Sequence, residues 1–281
     1  MRKVVQWLTL FFCNANLSGF LSGRIYRGWA KTICVPGLNC YSCPGAVASC
    51  PLGALQAVLG AAEYRFSFYV TGLLLGFGAL FGRFVCGFLC PFGLLQELLR
   101  KIPFYRVKKL WRGFLYLKYV LLAALVVGVP LLARNYADLG DPAFCKYVCP
   151  AGTLTAGLPL LASNPSLRGA AGGLFALKLV IAAAVVVGCM AVCRFFCKVL
   201  CPLGAFYGLF NKVALYRIRL EEKNCTHCGA CSKVCKMAIY PSLEPNSPEC
   251  VRCGDCVRAC RFAALEVGFC CSRTAKENVS A

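Results

Sequence analysis

The sequence predicts a mainly α-helical membrane protein. About four transmembrane helices form two pseudo-repeats with re-entrant or interfacial cysteine-bearing segments, and a small α+β module follows them. Three observations predict this. Of 281 residues, 59% are hydrophobic and 15% charged, with a mean hydropathy of +0.66, well away from soluble domains. A C-P-x-G sequence recurs along the apolar part, and the last part carries two copies of one cysteine run.

Four stretches are apolar enough to cross a bilayer, which takes about 20 residues: 4–20, 66–81, 114–133 and 172–192. The first resembles a signal peptide. However, no small-x-small cleavage site follows it closely, Asn14 and Asn16 interrupt it, and Phe12 stands where a lipoprotein site needs a small residue. It is therefore read as a membrane helix. A fifth stretch, 144–162, is broken by Pro150, Gly152, Gly157 and Pro159 and is expected to be re-entrant or superficial.

The second domain, 220–268, contains CTHCGACSKVC and CVRCGDCVRAC. Each is a C-x2-C-x2-C-x3-C run, which supplies the thiolates of a four-iron cubane, with the fourth cysteine of each run serving the other cluster. Cys225, Cys228, Cys231 and Cys260 are expected to hold one [4Fe–4S] cluster, and Cys250, Cys253, Cys256 and Cys235 the second. A zinc ribbon needs two pairs rather than two quartets. Lys236 and Arg261 replace the proline that usually follows such a run, a departure at non-ligand positions. His227, within CTHC, reads as a solvated loop residue because its neighbours already complete the set. The tail, 269–281, is expected to be disordered.

The membrane domain, 1–219, repeats as 1–111 and 112–219. Cys50, Cys90, Cys149 and Cys201 each precede proline in C-P-x-G, and Cys86, Cys145 and Cys197 lie four residues before three of them. Cys34, Cys40 and Cys43 precede the first, and Cys193 lies upstream of the last. Cysteines four apart share a helical face. Proline suits the first helical position, which leaves the preceding cysteine at a cap rich in free amides, where a thiolate is favoured. After Pro91, Leu94, Leu95, Leu98, Leu99 and Ile102 oppose Gln96, Glu97, Arg100 and Lys101, the pattern of a helix lying in the interface.

The net charge of +20 is explained by topology, not nucleic acid. Arg100, Lys101, Arg106, Lys108, Lys109 and Arg112 connect the second and third spans, Lys212, Arg217, Arg219 and Lys223 follow the fourth, and Arg2 and Lys3 begin the chain. Short basic loops face the cytoplasm. The expectation is a multi-pass inner-membrane protein with both termini and the cysteine module inside, although Arg24, Arg27, Lys31 and Arg65 then fall outside. Cys86, Cys90, Cys193, Cys197 and Cys201 then lie at the cytoplasmic end, and Cys34, Cys40, Cys43, Cys50, Cys145 and Cys149 at the outer end. The pseudo-twofold sets Cys86 and Cys90 opposite Cys197 and Cys201, and Cys145 and Cys149 opposite the 34–50 segment. One or two further iron–sulfur clusters in the membrane domain are expected, with surplus outer cysteines free or in disulfides. Clusters at both ends would divide a hydrocarbon core of about 30 Å into shorter electron hops.

Two C-x3-C-P elements after membrane spans, followed by a two-cluster ferredoxin module, resemble the NapH, NosR and CcoG families of membrane ferredoxins. Cys86, Cys90, Cys197 and Cys201 match the family's two cytoplasmic elements. The resemblance implies a four-span anchor passing electrons between the quinol pool or cytoplasmic carriers and redox partners. The additional outer cysteines favour carriage across the membrane. Expected partners are ferredoxin, flavin or haem proteins, quinone and membrane lipid. The rival readings are a quinol dehydrogenase subunit and a maturation or regulatory protein for another metalloenzyme. No nucleophile–base pair, P-loop or G-x-G-x-x-G motif is visible, so no catalytic residue is assigned. Lys118 is expected to snorkel from a span end, and Lys178 is a candidate for a quinone or proton role. Cys13, Cys189, Cys270 and Cys271 have no partner pattern.

Overall fold

The computed structural model describes residues 2–61, 68–107, 110–133, 140–169 and 172–270. Arg65, Phe66, Lys108, Lys109, Cys271 and most of the polar tail lie outside the described residues.

Among the described residues, two helices are long and apolar enough to cross a membrane, Gly113–Leu132 and Gly173–Ala191, and a shorter apolar helix spans Phe68–Phe81. At 1.5 Å per residue, the 19-residue helix is about 28 Å long, close to a hydrocarbon core. The Gly113–Leu132 helix loosens into π turns over Leu122–Gly128, just before Pro130, which has no amide to donate to the preceding turn.

The stretch 4–20 is not one span. A helix covers Arg2–Cys13, the chain then breaks, and a short helix covers Ser18–Ser22. The asparagines make the break: Asn14 Nδ2 donates to the Leu10 carbonyl at 3.0 Å, and Asn16 Nδ2 donates to Pro44 O at 2.9 Å. The 144–162 stretch is helical for nearly its whole length, as turns Phe144–Val148, Pro150–Gly152, Thr153–Gly157 and Leu158–Ser163, with Cys149 at the discontinuity.

Each C-P-x-G starts a helix with the cysteine as an extended cap and proline in its first turn. The helices are Pro51–Leu59, Pro91–Leu99, Pro150–Gly152 with its continuation, and Pro202–Phe210. The Pro91–Leu99 helix packs against Arg2–Cys13 and Gly173–Ala191, and Pro202–Phe210 packs against Phe68–Phe81 and Arg112–Leu121. The Pro91–Leu99 helix is therefore not an interfacial helix with a wet polar side. Gln96 is fully buried, and Glu97 is paired with Arg2 at 2.8 Å and Arg194 at 2.6 Å.

Strand β1 (Tyr216–Leu220) pairs antiparallel with β2 (Leu265–Phe269), Ile218 opposite Val267. The expected boundary at 219/220 thus falls inside the first strand of the cysteine module. Two short helices, Ala230–Val234 and Asp255–Ala259, pack together beneath this ribbon. The module is seated on the apolar part through Leu215 N to Ala79 O at 3.0 Å and a ring cluster of Phe81, Phe84, Tyr216 and Phe269.

Candidate metal centre

The capping cysteines face backbone amides. Gly204 N donates to Cys201 Sγ at 3.3 Å, the Cys50 sulfur accepts from Gly53 and Leu52, Cys90 from Leu38 and Gly93, and Cys149 from Gly152 and Ala151. All but Leu38, which comes from the loop before Cys40, are orphan donors of a first helical turn. Burial outweighs them: it pushes the Cys86 thiol up to about 11 and those of Cys90 and Cys149 up to about 12. Without a bound cation these thiols are neutral at pH 7.

The structure brings Cys86, Cys90, Cys197 and Cys201 together. After burial, the charges of Cys197 and Cys86 oppose ionisation of Cys90, and Cys197, Cys86 and Cys90 oppose that of Cys201. Two buried arginines clasp the set crosswise. Arg83 Nη2 donates to Cys197 O at 2.9 Å, and Arg194 Nη1 donates to Cys86 O at 2.9 Å. Gln96 Nε2 donates to Cys197 Sγ at 3.1 Å, while its Oε1 accepts from the Cys197 amide at 3.4 Å. Cys193 stands apart, half-buried beside Lys198, Arg194 and Glu97.

At the other end of the long helices, a cavity of about 1180 Å³ is lined by Cys34, Cys40, Cys50, Cys145 and Cys149. After burial, Cys149, Cys50 and Cys40 each oppose ionisation of Cys145. Burial and then the charge of Cys50 oppose ionisation of Cys34. Cys43 is buried, donates its amide to Cys40 O at 3.1 Å and does not line the cavity. Lys178 Nζ donates to Cys145 O at 3.3 Å on the cavity wall.

In the module, Cys235, Cys250, Cys253 and Cys256 surround one small void, with Cys250 and Cys256 buried. Burial and then its sister thiols push Cys256 up to about 12. Of Cys225, Cys228, Cys231 and Cys260, Cys228 is exposed and the other three are half-buried. The thiol of Cys228 lies below its usual range because the Ala230 amide and the Thr226 hydroxyl donate to it. The two runs repeat in backbone as well: His227 and Arg252, then Gly229 and Gly254, take positive φ of 52°, 50°, 71° and 75°, which turns successive amides toward the cysteines. His227 is exposed, whereas Arg252 is buried and donates to Phe81 O at 2.9 Å and Asn211 O at 2.5 Å.

The donor chemistry fits iron–sulfur cubanes: Cys86, Cys90, Cys197 and Cys201 lie close enough for their charges to interact, the cavity offers Cys40, Cys50, Cys145 and Cys149, and Cys235, Cys250, Cys253 and Cys256 share one void. Among the described residues no three His, Cys, Asp or Glu side chains close around a single point.

Several residues of the site carry no cysteine signature. Lys118 does not snorkel: it is fully buried and paired with Glu249 of the module, which also takes Arg83 Nη1 at 3.0 Å. Arg83, Arg194, Gln56 and Gln96 were legible only as a longer repeat. RFVCGFLCP and RFFCKVLCP share the arginine, and glutamine falls six residues after both Cys50 and Cys90.

Three segments, 66–112, 119–162 and 174–221, match the family described as a 4Fe-4S binding domain. They contain Cys86, Cys90, Cys145, Cys149, Cys197 and Cys201. The chain is 32% identical over 169 residues to an uncharacterized protein of Methanocaldococcus jannaschii, covering 57% of this chain and 61% of the relative. It is 30% identical over 184 residues to the methylamine utilization ferredoxin-type protein MauN of Methylorubrum extorquens, covering 64% and 53%. With MauN of Paracoccus denitrificans the identity is 29% over 248 residues, covering 82% and 75%. The chain spans about three fifths of the length of the first curated relatives it matches. No solved structure is significantly similar. Together the matched segments and these relatives support an iron–sulfur protein of ferredoxin type.

Proposed function

We propose that this chain is a membrane-embedded electron conduit. It takes electrons from a soluble ferredoxin-type carrier at the Cys225, Cys228, Cys231 and Cys260 site, where Cys228 is exposed. It passes them by way of Cys235, Cys250, Cys253 and Cys256 to Cys86, Cys90, Cys197 and Cys201, and on to a flavin or haem partner. The supporting observation is how tightly the module is locked onto the membrane-side cysteines. A Cβ on Gly87 would stand 2.5 Å from Val251 O, and Arg83 bridges Cys197 O to Pro248 O and Glu249. The two buried sets therefore share a wall of backbone at Gly87 and Val251.

When bound, [4Fe–4S] clusters supply one-electron transfer, the donor losing one electron and the acceptor gaining it. The residues of this chain do the rest. The caps direct amides at sulfur, Arg83 and Arg194 place positive charge beside the Cys86, Cys90, Cys197 and Cys201 set, and the apolar helices exclude water. Gly113–Leu132 and Gly173–Ala191 support placement in a membrane, and the basic 100–112 connection supports the module facing the cytoplasm. The likeness of the C-x3-C-P elements to NapH, NosR and CcoG proteins supports the same role.

The test is rapid mixing of anaerobically purified full-length protein with a reduced ferredoxin, following visible bleaching and freeze-quenched EPR. Reduction is expected to spread to a signal that Cys90→Ser with Cys201→Ser abolishes. If the module is reduced while that signal stays oxidised, the conduit reading is wrong.

A further inference from the structure

We propose that the large cavity at the far end of the helices is a second membrane-domain cluster site. Its ligands are Cys40, Cys50, Cys145 and Cys149, with Gln56 as the hydrogen-bond donor to a ligand sulfur. The site deepens the conduit reading by supplying its far terminus.

The cavity repeats the apparatus of the Cys86, Cys90, Cys197 and Cys201 set part by part. Cys50 and Cys149 cap facing helices that begin with proline, as Cys90 and Cys201 do. The glycine three residues on marks how near the opposite sulfur comes at both caps: a Cβ on Gly53 would make ordinary contact with Cys145 Sγ at 3.8 Å, and one on Gly152 with Cys40 Sγ at 3.5 Å. Each thiol therefore reaches across to the opposite cap. Gln56 Nε2 donates to Cys145 Sγ at 3.1 Å and its Oε1 accepts from Phe144 N at 3.1 Å, the arrangement Gln96 makes with Cys197.

One part differs, and the structure compensates for it. Four residues before Cys50 stands Ala46, not cysteine, and Cys40 takes the vacant role. The 34–50 segment lies outside the three segments that match the 4Fe-4S binding family, so the match does not assign this site. Charge agrees with the assignment. Among the described residues, the charged ones lining the cavity are Arg27, Lys31 and Lys178, all cations, which suits an anionic cluster with four thiolates. Cys34 lines the cavity without a helical cap or a glutamine partner, and it is a spare thiol.

Iron and acid-labile sulfide should be measured on full-length protein purified without oxygen. About sixteen irons per chain are expected, four for each of the sites. Cys50→Ser with Cys149→Ser should lose about four while keeping the signal that depends on Cys90 and Cys201, and Cys34→Ala should lose none. Iron unchanged in the Cys50/Cys149 variant overturns the site, and loss in Cys34→Ala but not in Cys40→Ser overturns the ligand set. Alkylation of the unmutated protein covers misfolding of the variants. Cys145 and Cys149 should resist iodoacetamide until iron is chelated away, and ready modification before chelation overturns the proposal. A loaded site that reduced ferredoxin cannot reach would instead count against the conduit alone.

Discussion

Gln96 Nε2 lies 3.1 Å from Cys197 Sγ, a contact made across the pseudo-repeat by a fully buried amide. A hydrogen bond to a ligand sulfur stabilises the reduced, more negative cluster and raises its potential. Gln96→Leu should therefore leave iron content unchanged and lower the midpoint of the Cys86/Cys90/Cys197/Cys201 site. One such bond is worth about 1 kcal/mol, or about 40 mV for one electron. An EPR-monitored redox titration reads the shift, and an unchanged midpoint would remove Gln96 from the tuning role.

The module is seated through contacts that tolerate no added atoms. Gly87→Ala should clash with Val251 O and cost about 1–3 kcal/mol. Gly76→Ala meets nothing within 4 Å and should be neutral or stabilising. Thermal unfolding in detergent, with limited proteolysis at the 211–216 connection, distinguishes them. Equal behaviour would mean that the module does not rest where the structure puts it.

Glu249 joins Lys118 and Arg83 in a buried charge cluster, and although burial alone would raise its pKa, these cations hold its carboxyl below the usual range. Glu249→Gln leaves two buried cations short of a partner and should cost on the order of 3 kcal/mol. It should also weaken the seat of the module without removing a ligand. Arg252→Ala should act in the same direction, because Arg252 ties the second run to Phe81 and Asn211. His227→Ala, at the equivalent place in the first run, should change neither stability nor iron.

Removing iron should expose the electrostatics of the thiols. Burial holds Cys86 near about 11 and Cys90 near about 12, so in the apo chain both are protonated at neutral pH and must release protons on taking metal. Their thiolate fraction rises with pH throughout the range below those values. Reconstitution of the Cys86, Cys90, Cys197 and Cys201 site should accelerate from pH 6.5 to 8.5. At any pH in that range Cys228, held below its usual range by the Ala230 amide and the Thr226 hydroxyl, has the larger thiolate fraction and should be alkylated faster in the apo chain than Cys86 or Cys90. Equal alkylation rates would contradict this.

Spacing alone identifies the two module runs, because four thiols within eleven residues leave few chemistries open. The C-P-x-G repeat likewise identifies the capping cysteines, since proline and cap geometry act within one helical turn. Hydropathy placed the Gly173–Ala191 helix well and misjudged 4–20, where two asparagines find partners and end the helix. Periodicity also misread the Pro91–Leu99 helix, because Gln96 and Glu97 face cysteine and arginine from the other half and not water.

Local chemistry is thus written in the chain: which residues are thiol donors, which segments are apolar, and where helices begin. Selection among equivalent thiols is a property of the assembled fold. Cys40 faces the cavity while Cys43, three residues on, does not, and Cys193 lies beside Lys198 although Cys197 joins the cluster set. Lys118 needs Glu249, 131 residues away, before its burial makes sense. Such choices depend on charge pairing and direction across packed elements, and no window of neighbouring residues contains both partners.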